Sequence, residues 1–200
     1  MPKGENTRKM IIAKSAELFN QNGYANSSLS DITERTGIKK GGIYRHFVNK
    51  DEIAAEAYRY AGSVVNKKIQ EALAGEETAM GKLLVFLQVY RNVVDSPPFV
   101  GGCPLLNLAT ETDDGNPGLR AHARQGLNNT LNLMKTIIEN GIQSGEFRAD
   151  LDVEALATFT LSIMEGGIMI SKLDADNRHV RMNEESLASY MKRIVLRAGR

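Results

Sequence analysis

The chain has 200 residues, of which 42% are hydrophobic and 24% charged, with a formal net charge of +1. This length permits one domain or a small domain joined to a larger one, and its single cysteine excludes an internal disulfide, as in a reducing cytoplasm. The polar N-terminal segment MPKGENTRK does not resemble a signal peptide, and no apolar run approaches the roughly 20 residues of a membrane span, so we expect a cytoplasmic protein with no membrane partner.

The charges are distributed unevenly along the chain. Residues 1–50 hold nine Lys and Arg against four Asp and Glu, a net charge of +5. Residues 51–200 hold sixteen against twenty, a net charge of −4. A basic segment on a mildly acidic body indicates polyanion binding at one end of the molecule. The alternative is a solvated charged surface that has no partner.

The first predicted helix runs from a cap at Thr7 to about Asn22, because apolar residues recur at helical spacing between Ile11 and Phe19. Gly23 ends this helix. The helix and the segment that follows it have little apolar surface of their own, so we expect this small unit to pack against a larger one.

Residues 28–47 are predicted to form two short helices joined by a tight turn. Ser28 and Asp31 have the spacing of a capping box, and Gly37 has the conformational freedom that the turn requires. The second helix has a thin apolar stripe, which is typical of a helix that reads the major groove of DNA. The residues that face away from the stripe are Lys39, Lys40, Gly42, Tyr44, Arg45 and His46.

The rest of the chain is also predicted to be helical, because no segment alternates with a period of two. A long helix from Lys50 to Ala74 leads from the small unit into the body. Further helices are predicted over Met80–Val94, Pro104–Thr112, Pro117–Ser144, Asp152–Leu173 with Asp152 as the N-cap, and Asn183–Arg197. The predicted fold class is therefore all-α, with an N-terminal three-helix unit over residues 1–50 and a larger helical domain over residues 51–200.

The first quarter of the chain resembles the tetracycline-repressor family of bacterial transcription regulators. The motifs that carry the resemblance follow one another at the family's intervals: Ala16–Phe19 (AELF) with Gly23-Tyr24, Ser28–Gly37, Gly41–Phe47 (GGIYRHF) and Lys50-Asp51-Glu52. Two positions depart from the family pattern, because Lys39 stands where a Ser cap is common and Gly42 where Thr is common. The recognition helix is therefore less well capped, and its base preference does not transfer from a relative.

The resemblance implies a homodimeric repressor that places two recognition helices in successive major grooves of a near-palindromic operator. Matching positions to the family places Tyr44, His46 and Lys50 at phosphates. The predicted DNA-binding set is Ser28, Lys39, Lys40, Gly41, Gly42, Tyr44, Arg45, His46 and Lys50.

The resemblance also implies that the body binds a small effector, which releases the operator. Aromatic and methionine side chains at helical spacing, with a few polar groups, suggest a site for a hydrophobic, aromatic or weakly basic ligand. Ordinary core packing is the alternative. The candidate pocket residues are Phe86, Tyr90, Cys103, Leu106, Asn107, Thr110, Met134, Phe159, Met164, Glu165 and Met169.

The family arrangement dimerises through its last two long helices. The segment Asp152–Leu173 is apolar on two sides, which predicts burial by its own core and by a partner, and Gly166-Gly167 would let a second backbone approach closely. An entirely internal helix is the alternative. The predicted interface residues are Leu156, Thr160, Ile163, Gly167, Leu187, Tyr190, Met191 and Ile194.

The sequence also bears on three other functions: an enzyme, a thiol-based sensor and a protein-binding adaptor. The chain has no Gly-rich phosphate loop, HExxH or GxSxG motif, and its three histidines lack metal-ligand spacing, so we predict no enzyme, catalytic residue, metal or cofactor. Cys103 precedes Pro104 at a predicted helix N-terminus, where a thiol can become reactive, so a redox- or electrophile-sensing repressor is one alternative. A helical protein-binding adaptor is another, but it leaves the basic N-terminal segment unexplained.

Overall fold

The structure, a computed structural model, describes residues 3–196, without the side chains of Lys3 and Ile194. Its helices are α1 Lys3–Asn22, α2 Leu29–Thr36, α3 Lys40–Ile43, α4 Lys50–Leu73, α5 Ala79–Gln88, α6 Pro104–Thr112, α7 Pro117–Gln143, α8 Val153–Asp174 and α9 Arg178–Tyr190, followed by a π-helical turn over Met191–Val195. Within residues 3–196 no strand forms, and β pairing is limited to one isolated antiparallel bridge between Phe147 and Leu196. The all-α prediction is confirmed.

The helices form two compact units. The first comprises the chain up to Val65 together with Phe99–Gly126, and the second comprises Asn66–Pro98 together with the chain from Leu127 onward. The division falls within α4 and within α7, so each of these helices contributes to both units. The predicted division into residues 1–50 and 51–200 stays a prediction.

The first unit is built around the apolar stripes of its short helices. Ile32 of α2, Ile43 of α3 and Phe47 after it are at most 2% exposed. Arg8 of α1 joins these helices to α4, because its guanidinium donates to the carboxylate of Glu56 and lies 4.7 Å from the centroid of the Phe47 ring. Burial of these side chains fixes which residues of α2 and α3 remain exposed.

In the second unit α8 packs closely against α9. Gly167 makes this possible, because a Cβ there would lie 3.3 Å from the Cα of Val180 and 2.9 Å from the side-chain nitrogen of Asn183. Asn183 donates to the Ile163 carbonyl at 2.8 Å. The close approach predicted from the glycine pair thus occurs at Gly167 within one chain, whereas a Cβ at Gly166 would meet open space.

Several helix ends differ from their predicted positions. α1 begins at Lys3, so Thr7 lies inside the helix, and α5 ends at Gln88 in a series of turns that reaches Ser96. α9 begins at Arg178, ahead of Asn183, after a tight turn. In this turn Ala175 is left-handed (φ 52°), and the Asn177 side chain accepts from the Val94 amide at 2.9 Å. The predicted end of this helix at Arg197 lies outside the described residues.

α8 is an exception to the expectation that no segment is apolar enough to span a membrane. It has the length and composition of such a span, the one helix of this kind within the described part of the chain. The core helix of a soluble protein passes the same test, and the buried face of α8 packs on α5 and α9. Its apolar character therefore reflects packing on one side and exposed apolar side chains on the other, among them Phe159, Ile170 and Leu173.

Candidate nucleic-acid interface

The first helix of the predicted helix-turn-helix has the cap that the sequence indicated. The Ser28 hydroxyl accepts from the amides of Ser30 and Asp31, and the Asp31 carboxylate accepts from the Ser28 amide at 2.6 Å. Hydrogen bonds from the amide and hydroxyl of Ser28 hold the pKa of Asp31 below its usual value, so its charge complements the positive helix N-terminus. Gly37 ends α2 in the left-handed conformation, with φ 71°. This sharp end turns the chain into α3.

The second helix presents a basic and aromatic surface. Lys39, Lys40 and Arg45 are exposed, and the Tyr44 side chain is 53% exposed, which argues against a core role for that tyrosine. His46 is half-buried, with its ring 6.5 Å from that of Phe47. α3 itself is a single turn, and its N-cap residue Lys39 makes no side-chain capping bond, as expected from the loss of the usual Ser.

The two glycines of α3 have different roles. A Cβ at Gly42 would lie 2.7 Å from the γ2 methyl of Ile38, so glycine here allows that side chain to pack over the helix. A Cβ at Gly41 would meet nothing within 4 Å, and Gly41 is exposed. The backbone at Gly41 is therefore open to a large partner.

Lys50 is engaged within the protein. Its ammonium donates to the carbonyls of Tyr24 and Ser27, at 2.8 Å each, and lies 4.0 Å from the centroid of the Tyr24 ring. The Tyr24 hydroxyl donates to Asp51, and burial together with this bond raises the pKa of Tyr24 to about 12. This arrangement anchors the loop between α1 and α2 and so gives Lys50 a structural role. The predicted contact of Lys50 with a phosphate stays a prediction.

The segment around α6 binds the same loop and the end of α1. Glu111 accepts from the amides of Tyr24 and Ala25, at 3.1 and 2.9 Å. Asn107 donates to the Asn20 carbonyl at 3.0 Å. No sequence pattern indicated Glu111 or Asn20, and Asn107 was predicted to line an effector pocket instead.

The predicted pocket residues divide between the two units. Phe86, Tyr90, Met134 and Met164 are buried in the second unit, where each is at most 4% exposed. The other three in that unit lie on α8: Glu165 is half-buried, and Phe159 and Met169 are 41% and 54% exposed. The exposed pair does not share an interior site with the buried group.

The remaining candidates belong to the first unit. Cys103 is buried at the N-terminus of α6, Leu106 is half-buried, and the exposed Thr110 donates to the carbonyls of its own helix. Asn107 lines a cavity of about 30 Å³ in this unit, far below the roughly 300 Å³ of a small ligand site. Residues that also line it are Ala16, Phe19, Asn20, Tyr24, Ala54, Ala57, Tyr58, Ala61, Pro104, Leu108 and Glu111.

The predicted dimer residues are mostly inside the protomer. Leu156, Thr160, Gly167, Leu187 and Met191 are buried, so their side chains offer no surface to a second chain. Ile163 and Tyr190 are half-buried, and the side chain of Ile194 lies outside the described residues. On the outer face of α8, Phe159, Met169, Ile170 and Leu173 are exposed, and Ile163 and Gly166 between them are half-buried.

Comparison with known families finds two family models that match this chain. The family described as bacterial regulatory proteins, tetR family, matches residues 11–57. A tetracyclin repressor-like C-terminal domain matches residues 79–187. Among curated proteins, the helix-turn-helix-type transcriptional regulator YxaF of Bacillus subtilis is 27% identical over 183 residues, which cover 90% of this chain and 93% of the relative.

Solved structures share the whole fold. A TetR transcriptional regulator from Chloroflexus aurantiacus is 38% identical, with a TM-score of 0.94 over 99% of this chain and 100% of that one. A cysteine mutant of the TetR-family regulator CifR, in complex with a 26-bp double-strand operator DNA, is 22% identical, with a TM-score of 0.80 over 90% and 94% of the two chains. Because the C-terminal profile alone spans more than half of the chain, and a relative of 38% identity covers nearly all of it, this chain belongs to the tetracycline-repressor family of bacterial regulatory proteins.

Proposed function

We propose that this chain is a homodimeric transcriptional repressor that binds a near-palindromic operator and is released from it by a small hydrophobic effector. The observation that carries the proposal is the surface of α3. In α3 and the turn that follows it, Ile43 and Phe47 are fixed in the core, and the opposite side presents cations and an aromatic ring to solvent. Lys and Arg neutralise phosphates and displace counterions, and they also read guanine in the major groove.

The residues proposed to contact DNA are those of the exposed face. Tyr44 and Arg45 reach phosphates, and Lys40 with the open backbone at Gly41 approaches base edges. The operator complex of CifR, a protein of the same fold, supports this use of the helix-turn-helix. Repression, rather than activation, is inferred from the family.

Dimerisation is proposed to use the exposed seam of α8. Phe159, Ile163, Gly166, Ile170 and Leu173 recur at alternating spacings of four and three, the pattern of helices that pack side by side. Tyr190 joins this surface, with its ring centroid 5.1 Å from that of Phe159. A twofold dimer would present two copies of α3 to half-sites about 34–36 Å apart.

The effector is proposed to bind in the second unit, among the buried aromatic and methionine side chains of α5, α7 and α8. The ligand is proposed to select a conformation in which the two α3 helices no longer fit the operator. Such a regulator acts where the DNA is, in the cytoplasm.

The test begins with selection of duplexes from a random pool by the wild-type protein. We expect a two-half-site sequence whose affinity falls steeply with salt, because several phosphates are contacted. Tyr44→Phe, which removes one hydroxyl from the exposed face, should weaken binding by about fivefold if the hydroxyl donates to a phosphate.

Tyr60→Phe is the matched control, because it removes the same hydroxyl from a tyrosine that is 39% exposed on α4, outside the helix-turn-helix. Failure to select any duplex would contradict DNA binding. Equal affinities of Tyr44→Phe and wild type would contradict the proposed contact between Tyr44 and a phosphate, but not DNA binding itself.

A further inference from the structure

The loop that leads into the helix-turn-helix is held from two sides by opposite charges. Glu111 of α6 accepts the amides of Tyr24 and Ala25. Lys50 of α4 donates to the carbonyls of Tyr24 and Ser27. The Glu111 carboxylate thus accepts from backbone amides of the loop, and the Lys50 ammonium donates to backbone carbonyls of the loop. Both sets are charge-assisted hydrogen bonds.

The sequence is adapted to the carboxylate. Gly23 has φ +86°, and a Cβ there would lie 2.9 Å from one Glu111 oxygen, so only glycine allows this conformation and this approach together. Ser27 closes the loop by donating to the Gly23 carbonyl at 2.6 Å. The position of Glu111 is therefore a built contact rather than a chance orientation of a surface side chain.

A second contact on the same helix holds the end of α1. Asn107, one turn before Glu111, donates to the carbonyls of Asn20 and Gly101, at 3.0 and 3.1 Å. Gly101 has φ +90°, and a Cβ there would lie 2.2 Å from the Asn20 carbonyl oxygen. Gly101, two residues before Cys103, thus permits the segment that leads into α6 to sit directly against the last turn of α1.

The loop sets the start of α2. Ser27 is followed at once by Ser28, whose capping box begins that helix, and α3 follows α2 after the single turn at Gly37. A displacement of the loop would therefore shift both helices and the exposed face that meets DNA.

We propose that Glu111 is a positioning residue for DNA recognition: it orients the helix-turn-helix through the loop amides and touches no DNA itself. The inference rests on the proposed function, since it assigns part of operator affinity to a residue of α6. It predicts that loss of the Glu111 carboxylate weakens DNA binding. Simple electrostatics predicts the opposite, because removal of an acidic side chain normally favours binding to a polyanion.

The experiment compares Glu111→Ala and Glu111→Gln with wild type on the duplex that the wild-type protein selects from a random pool. We expect Glu111→Ala to lose about tenfold in affinity and Glu111→Gln less, since a carboxamide oxygen retains one neutral acceptor. The slope of affinity against salt should not change, because no phosphate contact is lost. Hydrogen exchange of the Tyr24 and Ala25 amides should accelerate in both variants.

Asp114→Asn is the matched control, since Asp114 is an exposed carboxylate just beyond α6 and its loss changes the charge equally. It should bind as tightly as wild type or slightly tighter. Binding is measured well below each variant's thermal midpoint, so a role in fold stability alone would leave the affinity unchanged.

Unchanged operator affinity in Glu111→Ala, or an equal loss of affinity in Asp114→Asn, would overturn this proposal but not the proposed function. If the wild-type protein selects no duplex, the proposed function fails and this inference fails with it.

Discussion

Lys50 is a predicted DNA-binding residue whose ammonium also makes contacts within the protein. The family pattern places a lysine there for phosphate contact, yet the Lys50 ammonium is bound by two carbonyls and the Tyr24 ring. An ammonium that already donates to two carbonyls and lies over an aromatic ring has less to gain from a phosphate. Its contribution to binding should therefore be made through the loop.

We predict that Lys50→Ala weakens operator binding about five- to tenfold without changing the salt slope, because a loop anchor is lost and no phosphate contact is. Lys39→Ala, which removes an exposed cation on the recognition face, should lower the slope by about one. Binding titrations over a range of salt concentrations measure both. If Lys50→Ala lowers the salt slope by about one, Lys50 contacts a phosphate, as the family resemblance implies.

Cys103 is the other residue whose role depends on its surroundings. It lies at the N-terminus of α6 and is only 4% exposed. Because burial blocks access of a reagent to the thiol, we predict that the native protein is alkylated much more slowly than a small free thiol. Alkylation in denaturant is the control for intrinsic reactivity. Fast labelling that also abolishes operator binding would establish the electrophile sensor instead.

At the scale of the element, α8 has two apolar faces with different surroundings. One packs on α5 and α9 of the same chain, and Gly167 belongs to that face. The other is the exposed seam from Phe159 to Leu173, the latter 88% exposed. The seam is the surface on which a second protomer is proposed to pack.

We predict that Ile170→Glu converts the protein to a monomer at micromolar concentration, because an unpaired carboxylate would be buried in an apolar contact. Ile170 is 43% exposed in the protomer, so folding should be little affected. Thr158→Glu, at an exposed position of α8 off the seam, should remain dimeric. Sedimentation measures the mass and thermal unfolding checks the fold. A dimeric Ile170→Glu would place the interface elsewhere.

At the scale of the whole molecule, family membership confirms that the chain is a regulator rather than an enzyme. It also agrees with the charge distribution, because the basic first 50 residues contain the helix-turn-helix and the acidic remainder matches the C-terminal domain of the family. Proteins of this family bind operator DNA and act as dimers.

The sequence by itself determined the features that depend on neighbouring residues. The Ser28 capping box, the left-handed Gly37, the start of α6 at Pro104 and the Asp152 cap of α8 were each predicted and are each present. Caps, prolines and helical periodicity act within one turn of backbone, so their physical cause is contained in a few consecutive residues.

Only the tertiary structure decided which side of a helix meets its own chain and which side is left exposed. Periodicity showed that α8 is apolar on two sides, but it could not assign Leu156 and Thr160 to the core and Ile170 to the surface. Nor could it pair Glu111 with an amide 87 residues earlier in the chain. Such contacts join residues far apart in sequence, and they form only when packing of the whole unit brings their backbones together.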